Sequence, residues 1–176
     1  EVAAHAGVAM NAPQVTLEDT GIDRTSRPRG KRFGSLVHAV LAAIDLGANG
    51  TAIRVVATNH GRLLGASAAE VAAAVVAVEG ALGHPLLVRA ANASAQGGLR
   101  REIPVVLRQG AELLEGIVDL AFAEPYGAGT RWIVVDFKTD AEINHARAVY
   151  EAQVQLYATA IAASTNEATA AVLLVV

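Results

Sequence analysis

A change of hydrophobic period just before Leu99 constrains the fold of this chain more than any other feature. Before that point apolar residues recur at three- and four-residue spacing, and after it they alternate. In "FGSLVHAVLAAIDL", Leu36, Val37, Val40, Leu41 and Ile44 share one face of a helix. "TAIRVVATNHGRLLG" predicts a second helix ending near Gly65. "SAAEVAAAVVAVEGAL" predicts a third, with Ser67 as N-cap and Glu70 three residues on, the pattern of a capping box. "HPLLVRAANA" predicts a short fourth. "LRREIPVVLRQG" then sets Ile103, Val105 and Leu107 on one side of a strand. "ELLEGIVDLAFAEP" predicts a second strand, with "RQGAE" as the hairpin turn between them. "YGAGT" turns into a third strand, "RWIVVDFKT". A long helix over "HARAVYEAQVQLYATAIAAS" and a last strand, "AAVLLVV", complete the order. A helical segment, a three-stranded meander, a helix and a strand make a mixed α/β domain with helices packed on a central sheet. Residues 1–30 lack a steady period and are expected to be an irregular lead-in, leaving 31–176 as the domain.

At 176 residues the chain has room for one well-packed domain. A hydrophobic content of 53% excludes general disorder. No apolar run approaches the roughly 18–20 residues that a membrane-spanning helix needs, and no signal-peptide pattern opens the sequence. Zero cysteines exclude disulfides, cysteine zinc sites and iron–sulfur clusters, and fit a cytosolic protein. The chain begins without Met and ends in a strand-like run, so a fragment of a larger protein is expected, cut short at its C-terminus. The net charge of −3 is not that of a domain that holds nucleic acid by itself. Basic residues do cluster in "DRTSRPRGKRFG", with Arg24, Arg27, Arg29, Lys31 and Arg32. This stretch reads either as a solvated linker or as an arm that tracks a phosphate backbone.

Three polar residues stand where apolar ones belong. Asp119 interrupts "EGIVDLAF" inside the second strand, and "WIVVDFKTD" ends a hydrophobic strand on Asp136 and Lys138. Residues two apart in a strand point the same way, so Asp136 and Lys138 are either a structural ion pair or part of a site. Asp119 and Asp136 lie at comparable distances from the "PYGAG" loop and are expected to be cross-strand neighbours. Two carboxylates that close repel unless a shared proton or a cation intervenes. A hard divalent cation with oxygen ligands is the simplest resolution. Lys138 beside such a cation could orient a nucleophile or neutralise charge on a phosphate oxygen, which describes metal-assisted phosphodiester hydrolysis.

The motifs "GIVDLAF", "WIVVDFKTD" and "YEAQVQLYATAI", preceded by "RFGSLVHAVL" and "RREIPVVL", resemble the RecB-type nuclease domain of the PD-(D/E)XK superfamily. The closest likeness is to the C-terminal nuclease domain of AddA-type and other UvrD-like helicase–nucleases, over about residues 28–176 with five motifs in order. The resemblance implies a deoxyribonuclease using Mg²⁺, with Mn²⁺ as substitute. It makes His38, Asp119 and Asp136 metal ligands, with the carbonyl of Phe137, and Lys138 the catalytic lysine. Gln153 and Tyr157 match a Q-x-x-x-Y helix lying against the site and DNA, and Glu102 matches a recurrent acidic position. Val118 stands where the superfamily's name has proline. The implied partners are DNA, a helicase motor in the same polypeptide and a second helicase–nuclease subunit, with no membrane. The implied setting is the bacterial cytoplasm, at the nucleoid, in double-strand-break repair and recombination.

The residues agree with this assignment in two places. Tyr150, Gln153 and Tyr157 are spaced three and four apart on one helix face. Gly34 lies one turn before His38 and lets that helix approach the sheet. His5, His60, His84 and His145 are expected on the surface, and Trp132 in the core. The serines lack a nucleophile-elbow context, and "YGAGT" lacks the Lys-Ser/Thr of a phosphate loop. Two rival readings are a nuclease-like DNA-binding or scaffold module without catalysis, and a metal-free domain in which Asp136 and Lys138 simply pair.

Overall fold

A computed structural model of the chain describes residues 13–109 and 112–176. The chain order is β1 (Val15–Asp19), α1 (Lys31–Ala43), α2 (Gly50–Leu64), α3 (Ala68–Gly83), α4 (Pro85–Ala95), β2 (Leu99–Gln109), β3 (Glu112–Tyr126), β4 (Gly129–Lys138), α5 (Asp140–Thr165) and β5 (Ala168–Val175). The strands form one sheet in the order β1-β5-β4-β3-β2. β2, β3 and β4 run antiparallel, and β5 is parallel to both β4 and β1. This is the mixed α/β sheet flanked by helices that the periods predict.

The sheet separates two cores. On one face Leu120, Phe122, Ile133, Val135 and Phe137 pack under α1–α4, where Leu36, Val37, Val40, Leu41 and Ile44 are all buried as expected. On the other face Val134, Ala171 and Leu173 pack under α5, against Val154, Ala158 and Ile161. The helix ends follow the sequence signals. Ser67 accepts from the Glu70 amide at 3.2 Å while the Glu70 carboxylate accepts from the Ser67 amide at 2.8 Å, closing the capping box. Gly65 ends α2 in the left-handed conformation (φ 64°), where a side chain is disfavoured. α5 begins earlier than expected and breaks at Ala146 (φ −146°), one residue beyond the predicted start. The expected "RQGAE" turn includes Gly110 and Ala111, which lie outside the described residues. No single described helix is long and apolar enough to cross a membrane; α3 and α4 pass together by composition but bend by 70°.

Two expectations for the lead-in are corrected. Residues 15–19 form a strand, because β5 offers a parallel edge onto which Val15 to Asp19 pair in register with Ala171 to Val175. Nor is the basic stretch a free arm. Arg24 forms a two-point ion pair with Asp19 and donates to the Val175 carbonyl. Arg27 donates to the Val176 carbonyl and lies over the Phe33 ring. Arg32 grips Glu70 at 2.9 and 3.0 Å. His84 is also less exposed than expected, with its side chain 15% accessible, its Nδ1 accepting from the Leu86 amide and 3.8 Å from Glu18.

The Arg32 contact, reinforced by the Ser67 amide and hydroxyl, holds the Glu70 carboxyl down at about 2 from its ordinary 4.5. A depressed carboxyl pKa stabilises the fold fully above the ordinary value, and that contribution is lost as pH falls toward 2. Glu70→Gln should therefore make unfolding stability less dependent on pH between about 4.5 and 2. Denaturant titrations of both proteins across that interval measure it; parallel curves would show that Glu70 carries no such term.

Candidate active site

The site grows from an irregularity shared by β2 and β3. Arg101 pairs with Leu120 and Ile103 with Val118, but Glu102 and Asp119 between them do not pair. The register is the same on both sides, so no residue is inserted and this is not a bulge. Instead Glu102 takes a left-handed backbone (φ 48°), which costs a residue bearing a Cβ on the order of 1–3 kcal/mol. The strands roll over at this point. Leu99 packs on the core under α1–α4, whereas Ile103 and Val105 pack on the core under α5. Leu120 and Val118 divide in the same way, although residues two apart in a regular strand share a face. The ladder from β3 to β4 also ends here, at Leu120↔Val135.

Asp119 thus stands where β3 parts from both neighbours. Its Oδ2 accepts the Phe137 N–H at 2.8 Å, in place of a ladder bond. Its Oδ1 lies 3.5 Å from Nδ1 of His38, delivered by the middle of α1. The imidazole meets the Phe137 ring edge-on, with centroids 6.3 Å apart. Burial raises the Glu102 carboxyl pKa, and the Asp119 charge adds to the rise while His38 opposes it. Glu102, Asp119 and His38 therefore share one electrostatic neighbourhood.

Asp136 and Lys138 form the other half. By strand alternation they share the face of Val134, under α5. Both are buried, with Nζ 2.6 Å from Oδ2. Beyond that ammonium, Oδ2 has no hydrogen-bond partner among the described residues. Burial pushes the Asp136 carboxyl up to about 6, with Asp119 adding to the rise and Lys138 and His38 opposing it. The Lys138 ammonium also sits 4.7 Å from the centre of the Tyr150 ring, a cation–π contact. Along the same helix face, Gln153 Nε2 donates to the Tyr157 hydroxyl at 2.7 Å. The Tyr157 ring lies on Gly116 of β3, where an added Cβ would come within 2.4 Å of it.

A family model described as the PD-(D/E)XK nuclease superfamily matches residues 14–176. The chain belongs to that superfamily. Comparison with curated proteins gave no match. PD-(D/E)XK proteins are typically nucleases or phosphodiesterases and generally use divalent metals. The matched span includes β1, which lies within the expected lead-in.

Within this PD-(D/E)XK chain these expected residues fall in two groups: His38, Asp119 and Glu102, and Asp136 with Lys138, over which Tyr150 lies. They are not drawn into one ready ligand cluster. Among the described residues no three His, Asp or Glu side chains are close enough to hold a metal together. The donor types still suit a hard divalent cation: Asp119, with the His38 imidazole beside it, and Asp136 stand one step past the last β3–β4 pair, and the buried Asp136 has only the Lys138 ammonium for its charge among the described residues. Tyr157, expected against DNA, is only 5% exposed, its hydroxyl accepting from Gln153 and its ring covering Gly116. Tyr150 was not expected in the site. Its spacing from Gln153 placed it on the right face, but nothing in the sequence set it over Lys138.

Proposed function

We propose that this chain is a metal-dependent deoxyribonuclease domain hydrolysing phosphodiesters in DNA. The observation that carries the reading is the buried Asp136–Lys138 pair beside a second carboxylate and an imidazole at the parting of β3 and β4, inside a span that matches a nuclease superfamily. His38, Asp119, Asp136 and the Phe137 carbonyl would hold Mg²⁺ or Mn²⁺. When bound, such an ion supplies Lewis-acid polarisation of a phosphoryl oxygen and a nucleophile competent at neutral pH. Lys138 would meet the negative charge developing on the phosphate, and Tyr150 would hold the ammonium in place. Gln153 would orient the strand at the mouth of the site. The ordered motifs further support a place in an ATP-dependent helicase–nuclease of the bacterial cytoplasm, with a motor in the same polypeptide and a second subunit, acting at double-strand ends.

The test is incubation of end-labelled linear DNA with the chain in Mg²⁺, in Mn²⁺ and in EDTA. Cleavage that needs metal and is lost in Asp119→Asn is expected. Metal binding without cleavage would favour a nuclease-like scaffold, and neither would leave Asp136 and Lys138 as a structural pair. Because Asp136 is held up at about 6, it carries a proton below that pH and its carboxylate is available above it. Proton and metal compete for that carboxylate, so metal affinity should fall as pH drops through about 6, and an affinity unchanged from pH 7 to 5 would count against Asp136 as a ligand.

A further inference from the structure

Arg101 is the last residue of β2 before the strands roll over, and its side chain reaches across to α1. Its Nη1 donates to the carbonyls of Leu41 (3.1 Å), Ala42 (3.2 Å) and Ile44 at the C-terminal end of that helix. A helix leaves its last carbonyls without intrahelical partners, and a cation there also meets the negative end of the helix dipole. α1 has no basic residue in its own last turn, so a strand residue supplies the cap. The placement depends on Glu102. In a regular strand Arg101 and Ile103 would share a face, but the left-handed backbone between them lets Arg101 turn to α1 while Ile103 packs under α5. Burial disfavours the guanidinium charge, and the nearby Asp45 carboxylate opposes that effect.

We infer that Arg101 is a positioning residue, which holds α1 at the height along its axis where His38 faces Asp119. Arg101 pairs across the ladder with Leu120, the residue next to Asp119. The carbonyls that it grips begin one turn beyond His38 on the same helix. A short closed path therefore runs from Asp119 through Leu120 and Arg101 to the end of α1, and back through His38 to Asp119. This role rests on the nuclease reading above, in which His38 and Asp119 hold the ion, while the height of α1 can be tested without it.

The apolar face of α1 cannot do this by itself. Leu36, Val37, Val40, Leu41 and Ile44 bury the helix, but apolar contact is non-directional and leaves its height loosely set. Three directed hydrogen bonds fix it. At the other end of α1, Arg32 grips Glu70 of α3, which ties the helix to its helical neighbour rather than to the strand that carries Asp119. The tolerance is small. Sliding α1 by the rise of one residue, about 1.5 Å, would part an imidazole and a carboxylate that already stand 3.5 Å apart.

Nuclear magnetic resonance of the metal-free chain reads the geometry, and calorimetric titration with Mn²⁺ reads its consequence. The parent should show a nuclear Overhauser contact between the rings of His38 and Phe137, which meet edge-on with centroids 6.3 Å apart. Arg101→Ala should lose that contact and bind Mn²⁺ about 10–100-fold more weakly, the usual cost of removing a group that orients a ligand. Arg100→Ala is the control, because the Arg100 guanidinium donates to the neighbouring carbonyls of Gly97 and Leu99. It should leave both readings unchanged. Added to His38→Ala, Arg101→Ala should weaken Mn²⁺ binding no further, since the ligand it positions is already gone. If folded Arg101→Ala keeps the ring contact, or if its loss of affinity adds in full to that of His38→Ala, the positioning role is overturned. Should the alanine variant not fold, Arg101→Gln, with a shorter and uncharged amide, is judged by the same two outcomes. A parent chain that binds no Mn²⁺ but loses the ring contact on Arg101→Ala sustains the positioning role and removes the metal reading.

Discussion

Lys138→Ala should slow metal-dependent cleavage of linear single-stranded DNA by about 10²–10³-fold, the usual cost of removing one preorganised charge-stabilising group. The ammonium is buried, 2.6 Å from Asp136 and 4.7 Å from the centre of the Tyr150 ring. In such a setting a fixed cation acts on developing negative charge with little competition from water. Alanine leaves no donor there, and no other Lys or Arg is paired with Asp136 among the described residues. The substitution also leaves a buried carboxylate without its cation, so some loss of stability at neutral pH is expected as well. Far-UV circular dichroism and metal titration of the variant separate the two effects. A folded variant that binds metal and cleaves at the parent rate would remove Lys138 from the chemistry.

Phe122→Ala should cost about 3–5 kcal/mol of unfolding free energy, the range for truncating a fully buried aromatic ring. Phe122 is 0% exposed on the sheet face under α1–α4, and the Arg89 guanidinium lies 5.7 Å from its ring centre. Losing the ring opens a cavity and takes the cation–π partner from Arg89. Val106→Ala is the natural comparison. Val106 also sits on the hairpin but is 58% exposed, so its truncation should change stability by under about 0.5 kcal/mol. Urea denaturation of the three proteins measures both, and a Phe122→Ala penalty below that of Val106→Ala would show that the core closes around the gap.

Much of the fold was legible because its signals are local. Leu36 to Ile44 carry the helical period, Ser67 and Glu70 write their own cap, and the short "YGAG" loop sets the β3–β4 register by counting. That count correctly brought Asp119 and Asp136 to the same level, one step past the last paired residues, Leu120 and Val135. What failed was non-local. β1 is five residues long and exists because β5, some 150 residues away, presents an edge for it. Arg24 and Arg27 looked like solvated charges because their acceptors, the Val175 and Val176 carbonyls, are equally distant in sequence. The left-handed turn at Glu102 had no signal at all, since glutamate gives no cue for positive φ. The same limit applies to the site. Its residue types were readable, but whether they close into one ligand cluster depends on backbone geometry at the point where β2 and β3 roll over.

That rollover has a consequence for how the molecule should respond to a ligand. His38 and Asp119 are anchored to the core under α1–α4, while Lys138, Tyr150 and Gln153 are anchored to the core under α5. Anything bound between the two groups acts as a clasp across the sheet. By thermodynamic linkage it would stabilise the docking of both helical layers as well as the strand ends it touches. Occupancy should therefore appear as slowed amide exchange in α1 and α5 together, two helices with no residue in a common core.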